Sequence, residues 1–243
     1  MTTNSFLGRL VSLGGIDDVE QAAITAACGP VEVVEPNQHL VSVGDEPRCS
    51  IALLTGLACR VNDLSDGRRQ ILSFQVPGDG VDLYGYALRR LDHTVVTLTR
   101  CEISRIPFEL LDDLVARFPH LALTLWRETI LDASIMREQL VRVGQRPALE
   151  RAANLFCEIA HRFDAVGLGR DGVYDLPVTQ PILASALGLS AVHVNRVTRQ
   201  LHQRGIATLS RKCLTILDRP ALEQLGDFDP AYLETVKLHR SPR

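Results

Sequence analysis

Residues 179–206 read TQPILASALGLSAVHVNRVTRQLHQRGI, and this stretch decides the architecture. Thr179 can cap a short helix that ends near Leu187. Gly188 follows, the residue type that enters left-handed backbone without a steric penalty. Ser190 can cap a second helix running to about Gln203. Ile182, Leu183, Leu187, Val194, Val197 and Leu201 recur at the spacing of a buried face, and Ala184 is small where the helices must approach. The opposite face of the second helix carries His193, Asn195, Arg196 and Arg199, side chains suited to base edges and phosphates. The pattern is that of a DNA-reading helix-turn-helix.

A plain helical hairpin with a solvated face is the alternative, and charge argues against it. From Thr179 to Leu217 there are five Arg or Lys and no Asp or Glu, while the whole chain carries a formal net charge of −3. A stretch stripped of carboxylates inside an acidic chain marks a surface that meets polyanions. Residues 207–217 then alternate as a hairpin around Ser210-Arg211-Lys212. Two short strands with a cationic tip form the wing of a winged helix-turn-helix, which would set Arg211 and Lys212 against the DNA backbone. Hairpin tips are often charged for solubility alone, so a solvated turn is the competing reading. The candidate DNA contacts are Thr179, Gln180, Ser190, Val192, His193, Asn195, Arg196, Arg199, Arg211 and Lys212.

Upstream, the pattern changes twice. Residues 16–28 fit an amphipathic helix with Asp17, Asp18 and Glu20 at its N-terminus. Residues 31–35, 39–43, 50–62, 69–76 and 94–106 are rich in β-branched residues and separated by polar turns, which predicts a rolled antiparallel sheet. Helix resumes at Phe108, and a long segment runs from Pro119 to about Val143. Along it Trp126, Thr129, Ala133, Met136, Leu140 and Val143 recur at the spacing of a coiled-coil seam, with a second stripe at Leu123, Ile130 and Leu131. One stripe can cover the β-roll and the other a partner helix; burial of both within one chain is the alternative. Gly144 is expected to interrupt the helix, and Pro147 to open the next one, 148–163. Residues 164–173 read as a Gly-rich loop. The fold class is therefore α+β, with an N-terminal antiparallel, jelly-roll-like β-roll over 1–117, a long dimerisation helix and hinge over 118–145, and a winged helix-turn-helix over 146–243.

At 243 residues the chain suits this division. It has no run near the roughly 18 apolar residues of a membrane span. Residues 1–15 lack the basic lead and apolar core of a signal peptide, so a cytoplasmic location with reduced thiols is expected. The six cysteines are scattered without metal-ligand spacing and read as small core residues, with Cys213 in the wing the one candidate for redox chemistry.

The order of β-roll, long helix, hinge and winged head resembles the Crp/Fnr family of bacterial transcription regulators over nearly the full chain. Gly44-Asp45-Glu46-Pro47, Leu54-Thr55-Gly56 and Asp66-Gly67-Arg68-Arg69-Gln70-Ile71-Leu72 are similar to its β-roll turns, and Pro77-Gly78-Asp79 precedes the place of its phosphate cassette. The resemblance implies a homodimer joined through the long helix, bound to double-stranded DNA with a two-fold-related site. RNA polymerase is a further candidate partner, and no membrane is involved. Nucleotide-binding members follow Gly-Asp with Gly-Glu-Leu and later an Arg before Ser or Thr. Here the stretches read Gly80-Val81-Asp82-Leu83 and Leu91-Asp92-His93-Thr94, so the phosphate-pairing Arg is missing and two carboxylates are added. Arg89 and Arg90 lie nearby at a different spacing. The degenerate pocket (Gly80, Asp82, Leu83, Arg89, Arg90, Asp92, His93) is not expected to answer to cyclic nucleotides. No cysteine precedes Cys28 to hold an iron–sulfur cluster, and His39 and His93 lack a haem partner motif, so no cofactor and no metal are expected.

In the recognition helix many members present a Glu three positions before a base-reading residue and four before a guanine-gripping Arg. This chain has Val192, Asn195 and Arg196 there. Val192 could touch a thymine methyl, Asn195 could read adenine, and Arg196 keeps the guanine contact. The first reading is thus a homodimeric, sequence-specific regulator, effector unknown or absent. The second is a sensor or interaction protein whose β-roll binds a small ligand or protein, the DNA head being secondary. No nucleophile, base and orienter constellation supports an enzyme.

Overall fold

The structure, a computed structural model, describes residues 4–234. Two helices, α1 (Asn4–Gly14) and α2 (Asp18–Ala27), precede seven strands: β1 (Glu32–Val34), β2 (His39–Val41), β3 (Cys49–Thr55), β4 (Ala58–Asp63), β5 (Arg69–Gln75), β6 (Thr94–Thr97) and β7 (Cys101–Pro107). They form two antiparallel sheets, β1-β7-β3 and β2-β6-β4-β5, the rolled N-terminal unit of a mixed α+β fold. A short helix, α3 (Leu83–Leu88), interrupts the strands, and α4 (Phe108–Arg117) leads into α5 (Pro119–Gln145). The head comprises α6 (Ala148–Ala165), β8 (Val173–Asp175), α7 (Gln180–Leu187), α8 (Ala191–Gln203), β9 (Ala207–Ser210), β10 (Cys213–Ile216) and α9 (Arg219–Gly226).

Local chemistry accounts for most boundaries. Asp17 and Glu20 form a reciprocal capping box at the start of α2. The segments expected as single strands at 50–62 and 94–106 are each two strands. The first break is Gly56 at φ +85, where a Cβ would lie 2.5 Å from the Arg100 carbonyl in the second break, so the two turns require each other. Helix α1 was not read from the sequence, although Phe6, Leu10 and Leu13 stand at helical spacing and are all buried. It lies along α5, with Gly14 against Thr124. Strand β8, at the end of the stretch expected as a loop, pairs with β10 and makes the wing three-stranded.

Gly144 does not interrupt α5, which runs through it to Gln145. The break falls at Arg146, whose extended backbone (φ −76, ψ 139) is what a residue before proline prefers. Along α5, Leu121, Leu131, Ile135, Gln139 and Arg142 face inward. Leu123 and Ile130, expected beside Leu131, instead stand exposed on the side of Trp126.

A chain of buried charges joins these pieces. Arg142 on α5 donates through Nη2 to Glu158 Oε2 on α6 (2.5 Å) and through Nε to Asn154 Oδ1 (2.8 Å). One turn on, Arg162 reaches Asp79 in the β-roll (2.5 Å) and the Phe74 carbonyl (2.9 Å), and lies 3.7 Å from Glu158. Asp79 sits 4.0 Å from Arg9 of α1, which pairs in turn with Glu128 of α5 (3.2 Å). All six ionic side chains are at least nine-tenths buried. The first helix of the head is thus tied to the β-roll by ion pairs in low dielectric. Around them, β-roll residues such as Ile71, Phe74 and Val76 share one hydrophobic core with Phe156, Ile159 and Phe163 of α6.

Removing Arg162 leaves Asp79 buried with only Arg9, 4.0 Å away, as a cationic partner, while Glu158 keeps Arg142; breaking a buried pair in this way is worth about 3–5 kcal/mol. Arg162→Met is expected to lower the stability by that amount in urea denaturation; a loss under about 1 kcal/mol would place Asp79 and Glu158 in a far more solvated setting than described here.

Candidate nucleic-acid interface and cassette region

Each element of the reading head is set by a local rule. Thr179 Oγ1 caps α7 at the Ile182 amide (3.5 Å), and Gly188 leaves α7 at φ +62. Ser190 caps α8 at the His193 amide (3.2 Å). Leu183, Ala184, Leu187, Val194, Val197 and Leu201 close the inner side. Ser185 and Gln70 bind α7 to β5: Ser185 Oγ donates to the Arg69 carbonyl (2.6 Å) and Gln70 Nε2 to the Ser185 carbonyl (2.7 Å). From α5, Gln139 Nε2 donates to the Ala186 carbonyl (2.6 Å).

The outer side presents the candidate contacts together. Thr179, Gln180, Ser190, Val192, Asn195, Arg196 and Arg199 are exposed, and His193 is half-buried. Val192, at 82%, is the most exposed large apolar side chain among the described residues. Arg196 Nη2 lies 2.8 Å from His193 Nε2, and Arg199 Nη2 donates to Asn195 Oδ1 (3.3 Å). These bonds pre-order both guanidinium groups along one helix face, as a base- or phosphate-reading surface needs. His202, which was not singled out from sequence, bonds Thr208 of β9 through Nδ1 (3.0 Å) and links the helix to the wing.

The wing tip is a two-residue turn. Ser210 pairs with Cys213, so Arg211 and Lys212 alone form the turn, at φ +49 and +65. Both occupy the left-handed region that hairpin turns normally give to Asn and Gly. The chain holds two cations at the tip in spite of that strain.

The seven residues expected as one pocket are dispersed. Arg89 and Arg90 are exposed, and the Arg89 guanidinium lies over the Tyr86 and Phe108 rings (5.7 and 5.5 Å) rather than at the cassette. Asp92 is on the surface and bonds His93 Nδ1 (2.8 Å). Gly80 donates its amide to Glu128 (3.4 Å), and Leu83 is buried. Asp82 is wholly buried and accepts from the Ile51 amide (2.8 Å) and Ser50 Oγ (3.3 Å); burial pushes its carboxyl up to about 6, against those two bonds.

What lies between the cassette and α5 is Arg60, a residue passed over in the sequence. Its Nη2 donates to the Val81 carbonyl (3.1 Å), its Nη1 to Asp132 of α5 (2.5 Å), and its guanidinium stands 5.4 Å from the Tyr84 ring centre. His93 packs edge-on to Tyr84, and burial together with Arg60 holds its imidazole below the usual range. A charged residue inside the apolar run Leu57-Ala58-Cys59-Arg60-Val61 was the signal available.

On the seam of α5, Trp126 is 64% and Leu140 71% exposed, while Thr129, Ala133, Met136 and Val143 are half-buried. Two of these are partly engaged within the chain: the Thr129 carbonyl accepts from Tyr84, and Met136 Sδ lies 3.8 Å from Arg60. Burial raises the Cys59 and Cys157 thiols to about 12, in keeping with small core residues. Among the described residues no group of three or more His, Cys, Asp or Glu could hold a metal ion, and no helix is long and apolar enough to cross a membrane.

This fold and face define a DNA-binding regulator with a winged helix-turn-helix head. A cyclic nucleotide-binding domain model matches residues 31–118, and a Crp-like helix-turn-helix domain model matches residues 150–225. The transcriptional activator protein FnrL of Cereibacter sphaeroides is 30% identical over 199 residues, 79% of each chain. The nitrogen fixation regulation protein FixK of Azorhizobium caulinodans is 24% identical over 227 residues, 93% of this chain and 90% of that protein. Among solved structures, FixK2 from Bradyrhizobium japonicum matches the fold with a TM-score of 0.72 at 22% identity, covering 81% of this chain and 96% of that one. The chain belongs to the Crp/Fnr family of transcription regulators.

The wing offers a direct check. Replacing Arg211-Lys212 by Asn-Gly relieves two left-handed residues, each strained by about 1–3 kcal/mol, and removes two cations. The double variant is expected to melt higher yet bind duplex DNA more weakly, with a salt dependence shallower by up to about two phosphate contacts per chain. Unchanged affinity and salt slope would take the wing tip out of the interface.

Proposed function

We propose that the chain acts as a homodimer that recognises a two-fold-related duplex site, regulates transcription from it, and does not respond to cyclic nucleotides. The observation that carries this reading is the ordered face of α8, with Arg196 held on His193 and Arg199 on Asn195 beside a two-cation wing tip. Its chemistry suits the major groove: Arg196 toward guanine O6 and N7, Asn195 toward adenine, and Val192 toward a thymine methyl. Thr179, Gln180 and Ser190 stand at the N-termini of α7 and α8, where amides and hydroxyls suit phosphate oxygens. Arg211 and Lys212 take the backbone beside them. RNA polymerase is the further partner that a regulator of this family would meet. The cytoplasm is the compartment in which such a protein would act.

Dimerisation rests on the outer stripe of α5. Leu123, Trp126, Ile130 and Leu140 are exposed apolar side chains on α5, whose inward side packs against its own chain. Burying such residues against a two-fold copy stabilises the pair by roughly 25 cal/mol for each Å² of apolar surface removed from water. Insensitivity to cyclic nucleotides rests on Arg60. The cassette carbonyl, Tyr84 and Asp132 surround its guanidinium, so the volume and positive charge a phosphate would need are already committed to an internal ion pair. Displacing Asp132 would leave a carboxylate unpaired, which is costly.

Arg196→Ala is expected to lose about 1–3 kcal/mol of base discrimination in each half-site, and twice that for the dimer, while sedimentation stays that of the wild type. Equal affinity for the selected operator would show that the recognition helix is docked otherwise than proposed. Leu140→Glu places a charge on the stripe and is expected to give a folded monomer in sedimentation velocity, with much weaker operator binding because one head alone must hold the site. A dimer of unchanged stability would move the interface off α5.

A further inference from the structure

Beyond α9 the chain turns back toward the long helix. Asp227 leaves α9 in the left-handed region (φ +45), and its carbonyl accepts from Arg146 Nη2 (3.3 Å) at the break between α5 and α6. Pro230–Tyr232 form one 3-10 turn, which the Asp229 side chain caps at the Ala231 amide (2.9 Å). Tyr232 donates its hydroxyl to Glu158 Oε2 (2.9 Å), the same oxygen that Arg142 holds. Leu233 is buried with Leu13 of α1 and with Leu131 and Ile135 of α5. The Phe228 and Tyr232 rings, 6.0 Å apart and edge to face, pack against that cluster. The root of the segment is fixed to α6: Asn154 Nδ2 donates to the Gly226 carbonyl (3.0 Å), and a Cβ at Gly226 would lie 2.6 Å from the Asn154 amide nitrogen. Residues 227–234 thus run from the head across the break and land on α5 and α1.

The landing point gives this segment leverage. Leu131 lies about 20 Å along α5 from the helix end at Gln145, at the rise of an α-helix. The pairs Arg142–Glu158 and Arg162–Asp79 act on α6 itself, and so leave the head able to roll about the α6 axis. Two sets of contacts off that axis oppose such a roll. One is polar: Ser185, Gln70 and Gln139 hold the back of α7 by hydrogen bonds, each of which water replaces when the surfaces part. The other is Leu233 in its apolar cluster, where exposure to water brings no such replacement. None of the proposed DNA contacts lies on residues 227–234.

We propose that residues 227–234 are a strap that fixes the roll of the reading head on the long helix, with Tyr232 and Leu233 as its positioning residues, and that the strap thereby sets the half-site spacing a dimer accepts. Two recognition helices held at one distance engage half-sites one helical turn or a multiple of it apart, whereas heads free to roll tolerate other spacings. The effect on spacing rests on the dimeric DNA-binding reading; the fixing of the head does not.

The test compares the full-length wild type with Leu233→Asp, which sets a carboxylate among Leu13, Leu131 and Ile135, and with Leu233→Met, which conserves volume. Without DNA, nitrogen-15 relaxation is expected to show roll and head tumbling as one body in the wild type and Leu233→Met. In Leu233→Asp the head's rotational correlation time should be shorter by about a third. On DNA, the wild type and Leu233→Met should lose about tenfold or more in affinity when the selected spacing is changed by about two base pairs either way. Leu233→Asp should lose about threefold or less, with its affinity for a duplex carrying one half-site equal to that of the wild type. If Leu233→Asp aggregates, the double variant Tyr232→Ala, Leu233→Ala takes its place with the same expectations. A head that tumbles with the roll in the released variant, or a spacing preference as sharp as that of the wild type, would overturn the strap. So would a fall in single half-site affinity as large as that on the repeat, which would make the segment part of the head's own fold. If the wild type itself has no spacing preference, the dimeric reading fails, and the relaxation measurement alone decides the strap.

Discussion

The structure depends on one constraint: the buried charges Arg142, Glu158, Arg162, Asp79, Arg9 and Glu128 must all be present and all be paired. Each ion pays a desolvation penalty of several kcal/mol that only a partner at short range offsets. Such a chain adds little net stability compared with apolar packing, but it is intolerant of displacement. It spans α1, the Asp79 turn, α5 and α6, and so fixes the direction in which the head leaves the β-roll. The Arg146-Pro147 break, which by itself would be a pivot, is bracketed by Arg142 on one side and Glu158 and Arg162 on the other. Gln139, Gln70 and Ser185 then hold the back of α7, leaving α8 and the wing outward.

The same logic runs through the cassette. In this chain Arg60 crosses from β4 to the Val81 carbonyl and to Asp132 of α5, joining roll and helix by a residue of its own. Side-chain hydrogen bonds and ion pairs thus connect roll, long helix and head. In the function proposed above, these contacts would be what positions the DNA-reading face.

Legibility in the sequence followed the range of the interaction. The reading head was written in neighbours: Thr179, Gly188 and Ser190 cap and turn within four residues, and the structure has each in that role. The wing and the long helix followed from alternation and from 3-4 spacing. The breaks at Gly56 and near Arg100 were not legible, because each turn exists to fit the other across the roll. Gly144 was misread as a helix end since its cost in a helix, about 1 kcal/mol, is small beside the buried pairs that hold α5 straight. The ion chain was invisible for the same reason: Asp79 and Arg162 are 83 positions apart. Arg60 was passed over as well, although a charge in an apolar strand announces a buried partner even when the partner cannot be named. The pocket set failed in another way. Proximity in sequence put Arg89 and Arg90 beside Asp82, whereas α3 turns them out to solvent.

The central claim is that an internally tied dimer reads a two-fold DNA site with no nucleotide. Selection of operators by the purified protein from random duplexes, with and without cyclic AMP, addresses it most directly. The account predicts enrichment of one inverted repeat, its half-sites about one helical turn or a multiple of it apart, with the same sequence and the same affinity in both arms. Enrichment only when cyclic AMP is present, or no enrichment in either arm, would contradict it.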